Sequence, residues 1–202
     1  MTRGMLEVGM AQSTLPGELQ SGDRCHVHQL DGRALIGVID GLGHGSRAAV
    51  AAEAACEVLH ASGGDSVTGL MVRCHERLRE TRGAAITLLD LDLRQQRLEW
   101  LGVGNIAAVL LHPSPSGKLD RTELLVRGGV VGVSMPPPAL SSTRIVPGDM
   151  LVVATDGIEA GFADSIDRLE PPRRLADRLL AQHGNGHDDA LVLVARVQWG
   201  GP

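Results

Sequence analysis

Four aspartates at the predicted ends of apolar strands are the residues best suited to chemistry in this sequence. Asp40 closes an apolar run that begins at Leu35, and three glycines follow it within five residues. Asp156 closes a second apolar run, over residues 150–155, and is also followed by glycine. A carboxylate at the mouth of a buried strand is costly unless its charge is compensated. These two positions therefore predict a functional site.

Asp23 and Asp188 each stand at the start of a predicted strand. Antiparallel neighbours bring the end of one strand beside the start of the next, so all four aspartates can meet at one rim of a sheet. Carboxylates gathered there would repel each other, which raises the pKa of some of them or requires cations. Oxygen-only ligation, without paired His or Cys, favours hard ions such as Mg²⁺ or Mn²⁺. Two such ions bridged by one carboxylate can activate a water for attack on a phosphate ester.

The dipeptide Asp31-Gly32 predicts how two of these aspartates come together. Asp-Gly between two strand-like runs is typical of a two-residue hairpin turn. In that register Asp23 lies directly opposite Asp40. Facing carboxylates repel each other. The pair therefore either shares a cation, or Asp23 is simply solvated at a strand end.

The order of predicted elements favours an α+β fold of stacked layers with mostly antiparallel sheet. No linker or repeat divides the 202 residues, so we expect a single domain over residues 1–202. The hydrophobic patterns and turn residues place the elements as follows. Strands are predicted over 6–12, 24–30, 35–39, 84–93, 98–104, 106–111, 123–127, 143–146, 150–155 and 190–197, and helices over 46–62, 66–80 and 172–182.

Composition excludes several classes of function. One Phe, two Trp and no Tyr leave no platform for base stacking, and a net charge of −5 without a basic run argues against nucleic acid as a partner. No signal peptide and no membrane span is predicted. Three cysteines without CxxC spacing indicate neither a disulfide framework nor a zinc site. We therefore expect a cytoplasmic protein without a membrane partner.

Five short motifs occur in a characteristic order across nearly the whole chain. They are Gly22-Asp23, Asp40-Gly41-Leu42-Gly43-His44-Gly45, Gly104-Asn105, Thr155-Asp156-Gly157 and Asp188-Asp189. This pattern resembles the metal-dependent Ser/Thr protein phosphatases of the PPM superfamily, and within them the SpoIIE-like bacterial branch. The short length is similar to that of stand-alone members acting on stressosome proteins. The resemblance implies an α-β-β-α sandwich, with two mostly antiparallel sheets flanked by helices.

The same resemblance implies roles for individual residues. Asp40 would bridge two divalent ions, Mn²⁺ or Mg²⁺, and the carbonyl of Gly41 would ligate one of them. Asp156 and Asp188 would hold one ion and Asp23 the other. Asp40 and Asp156 would thus be the catalytic residues, and a metal-activated water would hydrolyse phosphoserine or phosphothreonine. The implied substrate is a phosphorylated regulatory protein, a STAS-domain component of the stressosome.

Three neighbouring residues are left without a firm role by this comparison. Asp189 follows the residue that the family pattern uses as a ligand. His44 lies two residues beyond the position at which the related eukaryotic enzymes carry a His. Arg24 is a candidate phosphate-binding residue only because it adjoins Asp23.

Other readings of the motifs remain as alternatives. The glycines that follow Asp40 can be read as the adenine-contacting box of an ATP-binding regulatory kinase, although no Asn precedes Asp40. A catalytically silent, binding-only pseudophosphatase would keep the same fold. The sequence 102–107 matches a dinucleotide fingerprint but is followed by a strand-like run where that motif requires a helix. His26 and His28 share one strand face and are read as exposed strand residues rather than metal ligands.

Overall fold

The computed structural model describes residues 4–113 and 120–199, in which ten strands form two five-stranded antiparallel sheets. Within these ranges no helix is long and apolar enough to span a membrane. The strands are β1 (Gly4–Ser13), β2 (Asp23–Leu30), β3 (Arg33–Gly41), β4 (Ala84–Asp92), β5 (Arg97–Val103), β6 (Ala107–His112), β7 (Asp120–Glu123), β8 (Ser141–Arg144), β9 (Met150–Ala154) and β10 (Ala190–Trp199). The helices are α1 (Ser46–His60), α2 (Val67–Arg77) and α3 (Pro172–His183), and Phe162–Ser165 forms a 3-10 turn.

The sheets stack face to face between two helical layers. The first sheet has the order β1-β10-β9-β6-β7 and the second β2-β3-β4-β5-β8. Their inner faces share one apolar core. Helices α1 and α2 cover the outer face of the second sheet, and α3 covers the outer face of the first. The predicted α-β-β-α sandwich is confirmed.

Strand β3 is buried on both of its faces, which explains its uninterrupted apolar sequence. Ile36 and Val38 point into the core between the sheets, whereas Ile39 points toward α1 and α2. Helix α1 can approach β3 closely because its buried face is built from alanines. A Cβ on Gly41 would lie 2.2 Å from the carbonyl oxygen of Ala48. This close approach places the start of α1 against the segment that follows Asp40.

Two short strands lie elsewhere than the sequence predicted. The strand expected over 123–127 is β7 at 120–123, because residues 124–127 leave the first sheet and bridge to the second at Val103. The strand expected over 143–146 is β8 at 141–144, because the amide of Val146 donates to the carboxylate of Asp149 in a turn. The first shift comes from a partner distant in sequence and the second from a local turn. The Pro, Ser and Gly residues of 113–117 also predict a loop, and its residues 114–117 lie outside the described residues.

Candidate metal centre

The β2–β3 hairpin supplies the first two aspartates of the site. Asp31 and Gly32 both adopt positive φ angles, 49° and 79°, as a tight two-residue turn with matching strand twist requires. Asp23 therefore pairs directly with Asp40, and the predicted hairpin register is confirmed. Asp23 is only 1% exposed, whereas Asp40 is half-buried at the end of its strand.

The other two aspartates come from the first sheet. Asp156 directly follows Thr155 at the end of β9, and Asp188 lies two residues before β10. The Thr155 hydroxyl donates to the Asp23 carboxylate at 2.7 Å and accepts from the Leu191 amide at 2.8 Å. The four aspartates thus face each other across two sheets. The prediction that all four aspartates lie at the rim of one sheet was wrong. Strands β2 and β3 belong to one sheet, whereas β9 and β10 belong to the other.

Burial and mutual repulsion make this cluster electrostatically strained. Burial raises the pKa of Asp40 to about 8, with further increases from Asp23, Asp156 and Asp188 and from a hydrogen bond with the Asp156 carboxyl. Burial likewise raises the pKa of Asp23 to about 7, although the hydrogen bond from Thr155 opposes the shift. The pKa of Asp188 is also raised, again mainly by burial. Near neutral pH the cluster must therefore hold protons or cations.

The donor set fits hard divalent cations. Carboxylate oxygens and one backbone carbonyl, that of Gly41, are the ligands that Mg²⁺ and Mn²⁺ prefer. In the described ranges no three Asp, Glu, His or Cys side chains are grouped as they would be around a metal ion. The Asp23 carboxylate accepts a hydrogen bond from the Thr155 hydroxyl, and the Asp156 carboxyl is close enough to Asp40 to raise its pKa. The metal-binding roles of these residues stay predictions.

Asn105 holds Asp156 in place, a function that the sequence did not reveal. Its side-chain amide donates to the Asp156 carboxylate at 2.7 Å. Asn105 lies in the β5–β6 connection, where Gly104 adopts a φ of 118°. The motif Gly104-Asn105 signalled this position without indicating its partner. The dinucleotide fingerprint that overlaps it is followed by strand β6, so it opens no phosphate-binding helix.

Asp189 is a structural residue of the site. Its side chain is buried, and its two carboxylate oxygens accept hydrogen bonds from the amides of Gly22, at 2.7 Å, and Leu15, at 2.8 Å. It therefore fastens the segment before β2 to the start of β10. Both acceptor oxygens are already engaged. These contacts support an anchoring role for Asp189.

Arg24 and His44 also have defined partners. The Arg24 guanidinium donates to the carbonyls of Ser21 and Asp23, both at 2.8 Å, and lies 3.7 Å from the Glu53 carboxylate. The Arg24 guanidinium therefore points toward backbone carbonyls. Its position next to Asp23 in the sequence does not by itself indicate phosphate binding. His44 is exposed, and its Nδ1 lies 2.6 Å from the carboxylate of Glu18.

His26 and His28 share one face of β2, as predicted. Their rings stack with centroids 6.5 Å apart, and His60 of α1 meets His26 edge-on at 6.3 Å. His28 is exposed as predicted, but His26 is half-buried beneath the neighbouring rings, so that prediction was wrong for His26. Burial, together with the imidazoles of His28 and His60, lowers the pKa of His26. Within the described ranges, His26, His28 and His60 are not grouped as ligands of a metal ion.

Comparison with known proteins identifies similar chains. A family model described as Stage II sporulation protein E (SpoIIE) matches residues 30–198. Phosphoserine phosphatase RsbX of Bacillus subtilis (strain 168) is 28% identical over 98 residues, which is 48% of this chain and 49% of RsbX, so the match spans about half of that relative's length.

Solved structures match over a larger share of the chain. A chain from a study of the bacterial stressosome, described as a modular system adapted to control secondary messenger signaling, is 31% identical and has a TM-score of 0.86. The match covers 95% of this chain and 100% of that one. RsbX in complex with magnesium is 20% identical, with a TM-score of 0.84, covering 98% and 100% of the two chains. At that identity the second likeness establishes the fold.

Proposed function

Because the chain belongs to the SpoIIE family, we propose that it is a metal-dependent phosphoserine/phosphothreonine protein phosphatase. The observation that carries the proposal is the meeting of Asp23 and Asp40 from one sheet with Asp156 and Asp188 from the other. The matched relative RsbX is a phosphoserine phosphatase, and it has been solved with magnesium. Both facts support a metal-dependent phosphatase.

The chain's own residues would divide the work as follows. Asp40 would serve both divalent ions, Asp156 and Asp188 would hold one of them, and Asp23 would hold the other. The carbonyl of Gly41 would ligate one of the two. When bound, two Mg²⁺ or Mn²⁺ ions supply an activated water and positive charge for in-line attack on the phosphorus atom. Outside this set of ligands, Thr155 and Asn105 keep Asp23 and Asp156 oriented through their hydrogen bonds.

The substrate that we propose is a phosphorylated STAS-domain protein of a stressosome. The support is the similarity, at 31% identity over 95% of the chain, to a protein from a stressosome study. No strongly basic stretch suggests a nucleic-acid substrate. The cytoplasmic location expected from the sequence stays a prediction that is consistent with such a partner.

The test uses two substrates, p-nitrophenyl phosphate and a phosphorylated STAS-domain protein. With Mn²⁺ we expect phosphate release from both, followed by absorbance and by mass spectrometry, and no release in EDTA. Asp40→Asn should be inactive, whereas Asp177→Asn, an exposed change on α3, should keep full activity. Hydrolysis of the small ester alone would reject the STAS substrate and leave the chemistry intact.

Two results would reject the phosphatase itself. If wild-type protein leaves both substrates intact while it binds ATP tightly, the ATP-binding regulatory module replaces it. If it leaves both intact but binds the phosphorylated STAS-domain protein, the pseudophosphatase replaces it.

A further inference from the structure

A surface cavity of about 380 Å³ lies beside the start of α1. It lies between the first turns of α1 and the connection that follows α2. Its lining consists of Ser46, Arg47, Val50, Glu80, Thr81 and Arg82. None of these residues has a role in the metal centre described above.

Arg82 lies directly over the glycine loop that follows Asp40. A Cβ on Gly43 would lie 2.9 Å from an Nη atom of the Arg82 guanidinium. The next residue, Gly83, accepts a hydrogen bond from the amide of Leu42 at 3.0 Å. The segment that carries Arg82 is therefore bonded to the loop only a few residues from Asp40. A group bound to this guanidinium would lie beside the glycine loop that follows Asp40.

Two arginines give the lining of the cavity a net positive charge. Arg47 and Arg82 are both exposed, and neither has an ion pair or a side-chain hydrogen bond within residues 4–113 and 120–199. Glu80 is the single acid among the residues that line the cavity. In a chain whose net charge is −5, this cavity therefore carries two arginines against one acid. Guanidinium groups of this kind bind carboxylates and phosphates in a bidentate geometry.

Apolar side chains accompany the two arginines. Val50 in the cavity wall is 60% exposed, and Leu42 in the adjoining loop is 49% exposed. A surface that combines exposed apolar groups with arginine has the composition enriched at protein–protein contacts. The partner that it fits is an acidic protein segment.

We propose that Arg47 and Arg82 form a docking surface for acidic residues that flank the phosphorylated residue of the protein substrate. The inference rests on the proposed phosphatase function and adds a substrate preference to it. The metal centre would hold the phosphoryl group, while the two guanidinium groups bind carboxylates of the neighbouring sequence. Selectivity among phosphoproteins would then come from the flank, since the metal centre itself contacts only the phosphate.

The experiment compares two phosphoserine peptides that differ only in their flanks, which are Glu-rich in one and Lys-rich in the other. With Mn²⁺ we expect wild-type protein to have a kcat/KM about fivefold or more higher for the Glu-flanked peptide, a size typical of two exposed ion pairs. The double variant Arg47→Glu/Arg82→Glu should reverse this preference, mainly through KM. Its turnover of p-nitrophenyl phosphate should stay unchanged. Arg174→Glu, a matched charge reversal at an exposed position of α3 on the opposite helical layer, should keep the wild-type preference.

The outcomes separate this inference from the function on which it rests. Equal kcat/KM for both peptides, with normal turnover of p-nitrophenyl phosphate by wild-type protein, overturns the docking surface and leaves the phosphatase standing. Equal loss of turnover on all three substrates in the double variant, with an unchanged melting curve, also overturns docking, because the arginines would then act at the phosphoryl group. Failure of wild-type protein on all three substrates contradicts the proposed function itself.

Discussion

Replacing Asp40 with Asn should stabilise the protein in chelator and abolish its response to Mn²⁺. Without metal, Asp40 is buried beside Asp23, Asp156 and Asp188, and its pKa is raised to about 8. An Asn has nearly the same shape, carries no charge and can still donate a hydrogen bond to Asp156. The variant therefore removes electrostatic strain but also removes the ligand expected to bridge two ions.

The size of the expected gain in stability follows from the pKa shift of Asp40. At pH 7 the unfolded carboxyl, with a pKa of 3.8, is ionised, whereas the folded one is mostly protonated. This mismatch of about three pKa units corresponds to roughly 4 kcal/mol of lost stability, at about 1.4 kcal/mol per unit. The proton shared with Asp156 and partial hydration reduce it, so we expect a gain of about 2–4 kcal/mol. For a chain of this size that is a rise in Tm of roughly 5–10 °C.

The pH dependence has a definite sign. Between pH 3.8 and about 8 the folded state retains a proton on Asp40 that the unfolded state has released. Stability of the metal-free protein therefore falls as pH rises through this window. The Asp40→Asn variant should show a shallower fall, with the residual slope coming from Asp23, whose pKa is raised to about 7.

Differential scanning calorimetry in EDTA from pH 5 to 8 measures both effects, and isothermal titration with Mn²⁺ measures binding. Asp177→Asn, an exposed change, serves as the control and should leave melting and Mn²⁺ binding close to wild type. A lower Tm of Asp40→Asn in EDTA at pH 8 would refute the electrostatic reasoning. Undiminished Mn²⁺ affinity would refute the ligand assignment.

Two other substitutions test residues that support the site, and a thiol reagent tests whether a cysteine takes part in the chemistry. Asp189→Ala leaves two loop amides without their acceptor, and the free energy of unfolding in urea should fall by about 2–4 kcal/mol; an unchanged midpoint would contradict the anchoring role. Gly41→Ala would push a Cβ to 2.2 Å from the Ala48 carbonyl oxygen, so calorimetry should show both a lower Tm and weaker Mn²⁺ binding. Iodoacetamide should leave turnover within about twofold, because burial raises the pKa of Cys56 to about 11 and of Cys74 to about 12 and little reactive thiolate forms; inactivation would indicate a cysteine in the chemistry.

The β2–β3 hairpin could be predicted from sequence because its determinants are local. Asp31 and Gly32 specify a turn that needs two positive φ angles, and the turn then fixes every pair of residues back to Asp23 and Asp40. The positions of Asp156 and Asp188 at strand ends were predictable for the same reason, since strand patterns are local.

The partners of the site residues could not be predicted, because they depend on contacts between distant segments. Asp189 bonds to Gly22 across 167 positions of sequence, and Asn105 bonds to Asp156 across 51. A pattern of residue types does not say which buried donor a carboxylate will meet. For the same reason all four aspartates were predicted on one sheet. Hydrophobic periodicity identifies strands, but it does not say which sheet a strand joins.

Because the four aspartates are divided between two sheets, the proposed activity requires both sheets to have formed and docked. A chain in which only one sheet has formed holds two of the four carboxylates and lacks the Thr155–Asp23 bond that joins the halves. A slip of one residue between β2 and β3 would turn Asp23 toward the opposite face. Under the proposed function, turnover per molecule therefore reports only those chains in which both sheets have paired in register and docked. During refolding this activity should return last, after secondary structure and after burial of the core.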